Sequence, residues 1–228
     1  MTSKSNGVVN LLFPTPVFTF DLKNHNKNKK KYVPLILDNY EKNKNQKAKW
    51  SYLDHTWTTF NSVDLIDSQI KEETNFFLKY LLQHEPNFKV DFFSWINVHD
   101  SNMYMGEHEH HGSLLSGIYY LKFNDKKHVP VTFLNPLNKE IAAWQAYNYD
   151  QINTSNKFLH HNSSPLKMNI KEGTVVLFPS YLTHFVPRSI CNDDELRISY
   201  TFNINLKNFY DEMQRIYIKH GYIDMKCK

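Results

Sequence analysis

From residue 92 onward the chain alternates short apolar stretches with turn residues, at 92–98, 102–106, 115–123, 131–134, 166–170, 174–178, 183–186 and 197–204. Eight short runs rich in Val, Ile, Phe and Tyr predict strands of a sandwich or jelly roll. Upstream the spacing changes. Residues 11–22 read as a strand with a Pro-containing turn at its start, and 32–43 and 62–82 read as helices. In the second helix Ile66, Ile70, Phe77 and Leu81 fall on one face, with Ser62 as cap and Asp64 in the first turn near the positive dipole end. The polar stretch 139–164 reads as an insertion beside a strand, and 208–219 as a last helix. No repeat or linker divides the chain. One domain over 1–228 is expected: a strand and supporting helices in 1–91, the sheet core in 92–206, and a C-terminal helix in 207–228.

Composition narrows the function classes. Hydrophobic residues make up 41% and charged residues 22% of 228, ordinary for a globular protein. With 6 glycines and no GxxxxGK[ST] or GxGxxG string, nothing supports a phosphate-cradling loop. The net charge of +4 gathers in an Asn/Lys-rich tract at 23–31 and a second cluster at 42–49. Neither has the interleaved aromatics of a nucleic-acid groove, so both read as solvated loop or helix face. Cys191 and Cys227 are far apart and outside any CxxC spacing, which points to a reducing compartment rather than a disulfide scaffold. The N-terminus lacks a signal-peptide pattern, and no apolar run approaches the roughly 20 residues of a membrane span. A cytoplasmic protein that does not enter the membrane is expected.

Chemistry concentrates in two places. His108, His110 and His111 stand in the string GEHEHHGS. In a strand alternate side chains share a face, so His108 and His110 can converge while Glu109 and His111 point away. Such a pair with a distant His on another strand builds a facial metal site, leaving the remaining coordination positions open. His184, in GTVVLFPSYLTHFVPRS, is the distant candidate. Beyond it, Arg197 and Ser199 alternate with Ile198, so guanidinium and hydroxyl face one side. A fixed guanidinium suits a carboxylate and keeps its charge. If the open metal face chelates a 2-oxo acid, this pair can hold the far end of a five-carbon diacid. His25, His55, His99, His128, His160 and His161 have no companion pattern, and the adjacent His160 and His161 read as solvated.

The strings LFPTPVF (12–18), SWIN (94–97), HEHHGSLLSGIYYL (108–121), EGTVVLFPSYLTHFVP (172–187) and RISYTFNI (197–204) resemble the 2-oxoglutarate/iron(II) oxygenase family found in marine bacteria and their phages, which is similar to the prolyl-hydroxylase-like branch of its superfamily. The resemblance implies a mainly β, double-stranded β-helix (cupin-like jelly roll) with flanking helices, and an iron(II)- and 2-oxoglutarate-dependent dioxygenase that hydroxylates its substrate with release of succinate and CO2. It implies His108 and His184 as iron ligands, Arg197 as the 2-oxoglutarate clamp and Ser199 as its helper. Asn97 and Tyr104 are candidate cosubstrate contacts. Tyr119 and Tyr120 split between the sheet faces, one lining the pocket, with Trp57 and Trp144 at a substrate pocket. A small-molecule or peptide substrate is implied, in the host cytoplasm if a phage encodes the chain, and the C-terminal helix could pack against a second copy in a homodimer.

The sequence departs from the superfamily's HxD pattern, since His110 fills the carboxylate position. His110 as third ligand, a vacant position taken by water or halide, and a carboxylate from Glu109 or Glu107 through a bulge all remain open at this level. Two rival classes share these residues. A cupin-like metalloprotein would use the three histidines without 2-oxoglutarate and leave Arg197 dispensable. A non-enzymatic binding jelly roll would consume no oxygen with 2-oxoglutarate.

Overall fold

Alternation along the last strand determines how the protein is layered. The computed structural model describes residues 15–44, 54–59, 63–82, 90–134, 136, 166–189 and 195–207. Its strands are β1 (Phe18–Asp21), β2 (Asp54–His55), β3 (Trp57–Thr59), β4 (Val90–His99), β5 (Tyr104–His108), β6 (Leu115–Lys122), β7 (Thr132–Phe133), β8 (Leu166–Lys167), β9 (Thr174–Pro179), β10 (His184–Val186) and β11 (Arg197–Leu206). The helices α1 (His25–Asn43) and α2 (Ser68–Leu82) precede β2 and β4 respectively. Pairing is antiparallel throughout, in a six-stranded sheet β1-β9-β6-β11-β4-β3 and a five-stranded sheet β2-β5-β10-β7-β8.

In β11, Ile198, Tyr200, Phe202 and Ile204 turn outward with Ile96 and Val98 of β4, and join Ile36, Tyr40, Ile70, Phe77 and Leu78 of the helices in one apolar cluster. The alternate residues Arg197, Ser199, Thr201 and Asn203 face inward and are matched across the ladder by His99, Asn97, Trp95 and Phe93. A second, smaller apolar cluster (Ile118, Tyr120, Phe133, Val176, Phe178, Leu182) closes the space between the sheets. Helices therefore cover one face of the larger sheet, and its other face lines an enclosed interior rich in polar groups. This is a mainly β jelly roll of the double-stranded β-helix kind. No helix among the described residues is long and apolar enough to cross a membrane.

All eight strands expected from the alternation form, with shifted ends. The short edge strands β2 and β3 were not expected. Helix α1 begins at His25 rather than 32, because the lysine tract forms its solvated first turns; lysine is a fair helix former and its charge stays in water. Helix α2 begins at Ser68 rather than 62. Asp64 Oδ1 accepts the Ile66 N–H in a turn, and Asp67 Oδ1 accepts the Ile70 N–H at 3.0 Å as the cap. Trp57 is buried edge-on against Tyr40 in the helix-side cluster and does not line the interior cavity beside the histidines. The expected helix 208–219, the polar stretch 139–164, Trp144, Cys191, Cys227, His160 and His161 lie outside the described residues.

Gly117 lies opposite Phe202 in the β6–β11 ladder. A Cβ there would meet the Phe202 ring at 2.3 Å and Leu177 Cδ2 at 2.9 Å. Both neighbours are fully buried, so Gly117→Ala is expected to destabilise the fold by about 1–3 kcal/mol through overpacking, read as a lower urea midpoint at unchanged slope.

His25, which has no companion pattern in the sequence, ties α1 to the sheet. Its Nδ1 lies 2.8 Å from the Tyr119 hydroxyl and its Nε2 3.3 Å from Glu172, which also accepts from Lys29 at 2.5 Å and from the Phe123 N–H at 3.0 Å. Burial pushes the Glu172 carboxyl up, but Lys29, the Phe123 N–H and His25 outweigh it and hold it below its ordinary 4.5. A depressed carboxyl stabilises the fold above its unfolded value and loses that contribution as pH falls through the folded value. Glu172→Gln is expected to cost on the order of 1 kcal/mol at neutral pH. Denaturant titrations should show the two proteins converging below pH 4.5.

Candidate metal centre

The ladder of the smaller sheet brings the first two imidazoles together. His108 ends β5 and His184 opens β10, and the two are direct partners in register. His110 lies two residues past β5, held by its backbone N–H to Ser180 O at 3.0 Å and by the turn in which Ser113 N–H donates back to its carbonyl. Gly112, at φ +85°, supplies the left-handed residue of that turn. A ligating nitrogen from each of the three rings lies within 4.8 Å of the others. The ring centroids are 4.2 Å apart for His108–His184 and 5.1 Å for each pair with His110.

Hydrogen bonds decide which nitrogen is free. His108 Nδ1 donates to Gly106 O and His184 Nδ1 to Leu182 O, each at 2.8 Å. A carbonyl only accepts, so Nδ1 carries the hydrogen and Nε2 keeps a lone pair. His110 Nδ1 lies 2.5 Å from Asn203 Oδ1. Burial, then the neighbouring His108, push His184 down to about 3, and burial lowers His110 also. Neutral imidazoles with free Nε2 lone pairs are what a divalent transition metal requires. Glu109 is turned away to accept from Thr183 Oγ1 at 2.5 Å, Glu107 is exposed, and His111 is 87% exposed. No carboxylate joins the cluster among the described residues.

The cavity beside the triad is lined by Trp95, Asn97, His99, Tyr120, Arg197, Ser199 and others. Arg197 is 2% exposed and its Nη1 donates to Val129 O; no carboxylate among the described residues pairs with it. Burial lowers it to about 10, so it remains a cation at neutral pH. A buried, unpaired guanidinium is costly unless an anion meets it, and a ligand carboxylate fits that need. The Tyr120 hydroxyl accepts the Val131 N–H at 2.9 Å, and burial pushes its pKa to about 12, leaving its hydrogen to offer into the cavity. Tyr119, on the opposite face, reaches α1 as the alternation implies.

Asn97 lines this cavity with Oδ1 accepting from Thr58 and Nδ2 donating to Thr201. Tyr104 does not line it. A register irregularity between His184 and Val186 pairs Val186 with Met105, so Met105 rather than Tyr104 shares the cavity with His108. Tyr104 lines the neighbouring open groove, with Arg188 5.1 Å from its ring centroid. His99 was missed by sequence reasoning. It is 2% exposed in the same cavity, Nε2 is 2.9 Å from Thr56 Oγ1, and Nδ1 has no hydrogen-bond partner among the described residues. Burial, then Arg197, hold it well below its ordinary value. The signal was present, because Trp95, Asn97 and His99 alternate with Ile96 and Val98. His128 is also buried, bonding Asn124 N–H and Glu195 O as a loop staple.

These features define a class: a jelly roll whose interior can take one metal ion and one anionic ligand side by side. Residues 93–203, from β4 into β11, match the family model described as "Putative 2OG-Fe(II) oxygenase". Over this span, just under half of the chain, the protein is similar to a family of 2-oxoglutarate-dependent oxygenases, whose cofactors are iron(II) and 2-oxoglutarate. Solved structures of like fold include a prolyl-4-hydroxylase from Pseudomonas putida (8% identity, 84% of this chain and 92% of that one, TM-score 0.50). A prolyl hydroxylase from Trichoplax adhaerens in complex with a hypoxia inducible factor oxygen degradation domain peptide fragment aligns at 11% identity over 88% and 86% (TM-score 0.50). The non-heme alpha-ketoglutarate-dependent carbocyclase SnoK from nogalamycin biosynthesis aligns at 9% over 88% and 87% (TM-score 0.51). No protein of curated function matches the chain.

Proposed function

We propose that His108, His110 and His184 hold iron(II) through Nε2, that Arg197 and Ser199 take the distal carboxylate of 2-oxoglutarate, and that the whole chain acts as one hydroxylating domain on a small molecule or peptide. Bound together, iron(II) and 2-oxoglutarate would let the site use dioxygen as the oxidant, one oxygen atom ending in the succinate formed as 2-oxoglutarate loses CO2 and the other in the hydroxylated C–H bond of the substrate. The observation that carries this reading is the buried Arg197, without a carboxylate partner among the described residues, in the same cavity as the imidazole triad.

The protein's own groups then have separable roles. Three fixed tautomers present three neutral donors and leave the rest of the coordination sphere open. Arg197 offers a rigid fork of N–H donors to a carboxylate, and the Ser199 and Tyr120 hydroxyls lie in the same cavity as further donors. Replacing the usual carboxylate ligand by a neutral ring leaves the site one unit more positive, which favours a doubly anionic cosubstrate. Trp95 stands 5.7 Å from His110, and Phe93, 55% exposed, stands 5.8 Å from Trp95. This run of rings leads from the triad to the surface and suits an apolar part of the substrate.

Anaerobic titration of the purified protein with iron(II) and then 2-oxoglutarate tests the reading. A visible metal-to-ligand charge-transfer band that saturates at one equivalent is the expected result. Stoichiometric iron binding without the band would favour a cupin-like site that does not use 2-oxoglutarate.

A further inference from the structure

We propose that Asn203, supported by Ser116 and Ser180, is the positioning residue that makes His110 a metal ligand. The proposal rests on the three-histidine reading above and deepens it. His108 and His184 are fixed by backbone carbonyls two residues before them, which can only accept. His110 has a different anchor: its Nδ1 faces Asn203 Oδ1 at 2.5 Å and Ser116 Oγ at 3.0 Å, both side-chain atoms from other strands.

A side-chain amide can turn either end to the ring. With oxygen inward, Nδ1 keeps its hydrogen and the Nε2 lone pair is free for the metal. With nitrogen inward, Nδ1 must accept, the proton moves to Nε2, and the ring can no longer ligate there. The structure shows the first state, with Asn203 Oδ1 turned to the ring. Ser116 donates to Asn203 Oδ1 at 3.0 Å, and Ser180 Oγ lies 2.8 Å behind Ser116 Oγ. Ser116 and Ser180 are 0% and 1% exposed, so water does not compete for these bonds. Asn203 sits on β11 between β4 and β6, paired with Phe93 and Ser116, so its backbone is held from both sides. The chain Ser180–Ser116–Asn203–His110 thus does for an imidazole what a short carbonyl contact does for the other two.

Cobalt(II) titration of the metal-free protein, followed by visible d–d absorption and by competition with a chelator, tests this without turnover. Asn203→Leu is expected to weaken cobalt binding about 10–100-fold, the usual effect of losing a ligand's hydrogen-bond partner, and to shift the spectrum toward that of His110→Ala. Asn203→Asp, which presents only oxygens, is expected to bind at least as tightly as wild type, and Ser116→Ala several-fold more weakly. Circular dichroism checks folding, and the isosteric Asn203→Asp keeps the test readable if the leucine variant fails to fold. Wild-type affinity and spectrum in Asn203→Leu, or a defect in Asn203→Asp as large as in a folded Asn203→Leu, would overturn the proposal alone. Failure of the wild-type protein to bind cobalt would overturn the three-histidine reading beneath it as well.

Discussion

Arg197→Met is expected to weaken 2-oxoglutarate binding by at least about thirtyfold, while the metal-free protein stays close to wild-type stability. Truncating one partner of a buried charge pair costs about 2–5 kcal/mol, or roughly thirty- to several-thousandfold in affinity. Without cosubstrate the guanidinium is itself a burden, because it is buried, charged and lacks a carboxylate partner among the described residues. Methionine keeps much of the stem and removes that burden, although Val129 O loses its donor. The two terms oppose each other, so the melting temperature of the metal-free variant should move little. Arg197→Lys should bind cosubstrate with intermediate strength, because it keeps the charge and loses the fork. Calorimetric titration with 2-oxoglutarate, beside thermal melts without it, separates the effects. Unchanged affinity would place the carboxylate elsewhere, and collapse of the metal-free protein would make Arg197 structural.

His184→Ala is expected to lower metal affinity by more than the 10–100-fold typical of losing an outer hydrogen-bond partner. It removes one of three donors, and the one most deeply buried, at 2% exposure between the rings of Phe178 and Phe133. Alanine would also leave a void beside those rings, so a modest drop in melting temperature should accompany the loss. His184→Gln, which fills more of the space, should recover stability without recovering full affinity. Metal content after dialysis against a weak chelator measures the first effect and calorimetry the second. Retention of stoichiometric metal by both variants would remove His184 from the ligand set.

Much of this was legible in the sequence for identifiable physical reasons. Short apolar runs bounded by turn residues located eight strands, two of which, β6 and β9, are buried on both faces, while β11 alternates between an apolar layer and the polar lumen. The same alternation in RISYTFNI put Arg197 and Ser199 on one side, where the structure places them in one cavity. The bend that follows β5 was harder to read. Strict alternation carries Tyr104 to the face of His108, but the irregular register turns Met105 inward instead. Strands β2 and β3, with 2 and 3 residues, are too short to carry a period. The partnership of His110 with Asn203 spans 93 positions and exists only because β11 pairs with β6. His99 was passed over because it stands alone in a sequence window, although across the ladder it faces Arg197.

The strict alternation of β11 also bears on how the protein can change. Residues that keep the molecule folded and residues that face its chemistry interleave one by one along the same strand, pointing opposite ways. The helix-side set (Ile198, Tyr200, Phe202, Ile204) is fully buried among apolar neighbours, so substitutions there should be purged for their effect on stability. The inward set opposes a polar lumen, where an exchange of one small hydrogen-bonding side chain for another disturbs little packing. Variation at lumen positions not assigned to the cosubstrate, such as 95 and 201, is therefore an economical route to new reactant preferences on an unchanged scaffold, and directed libraries built on those positions should yield a high fraction of folded variants.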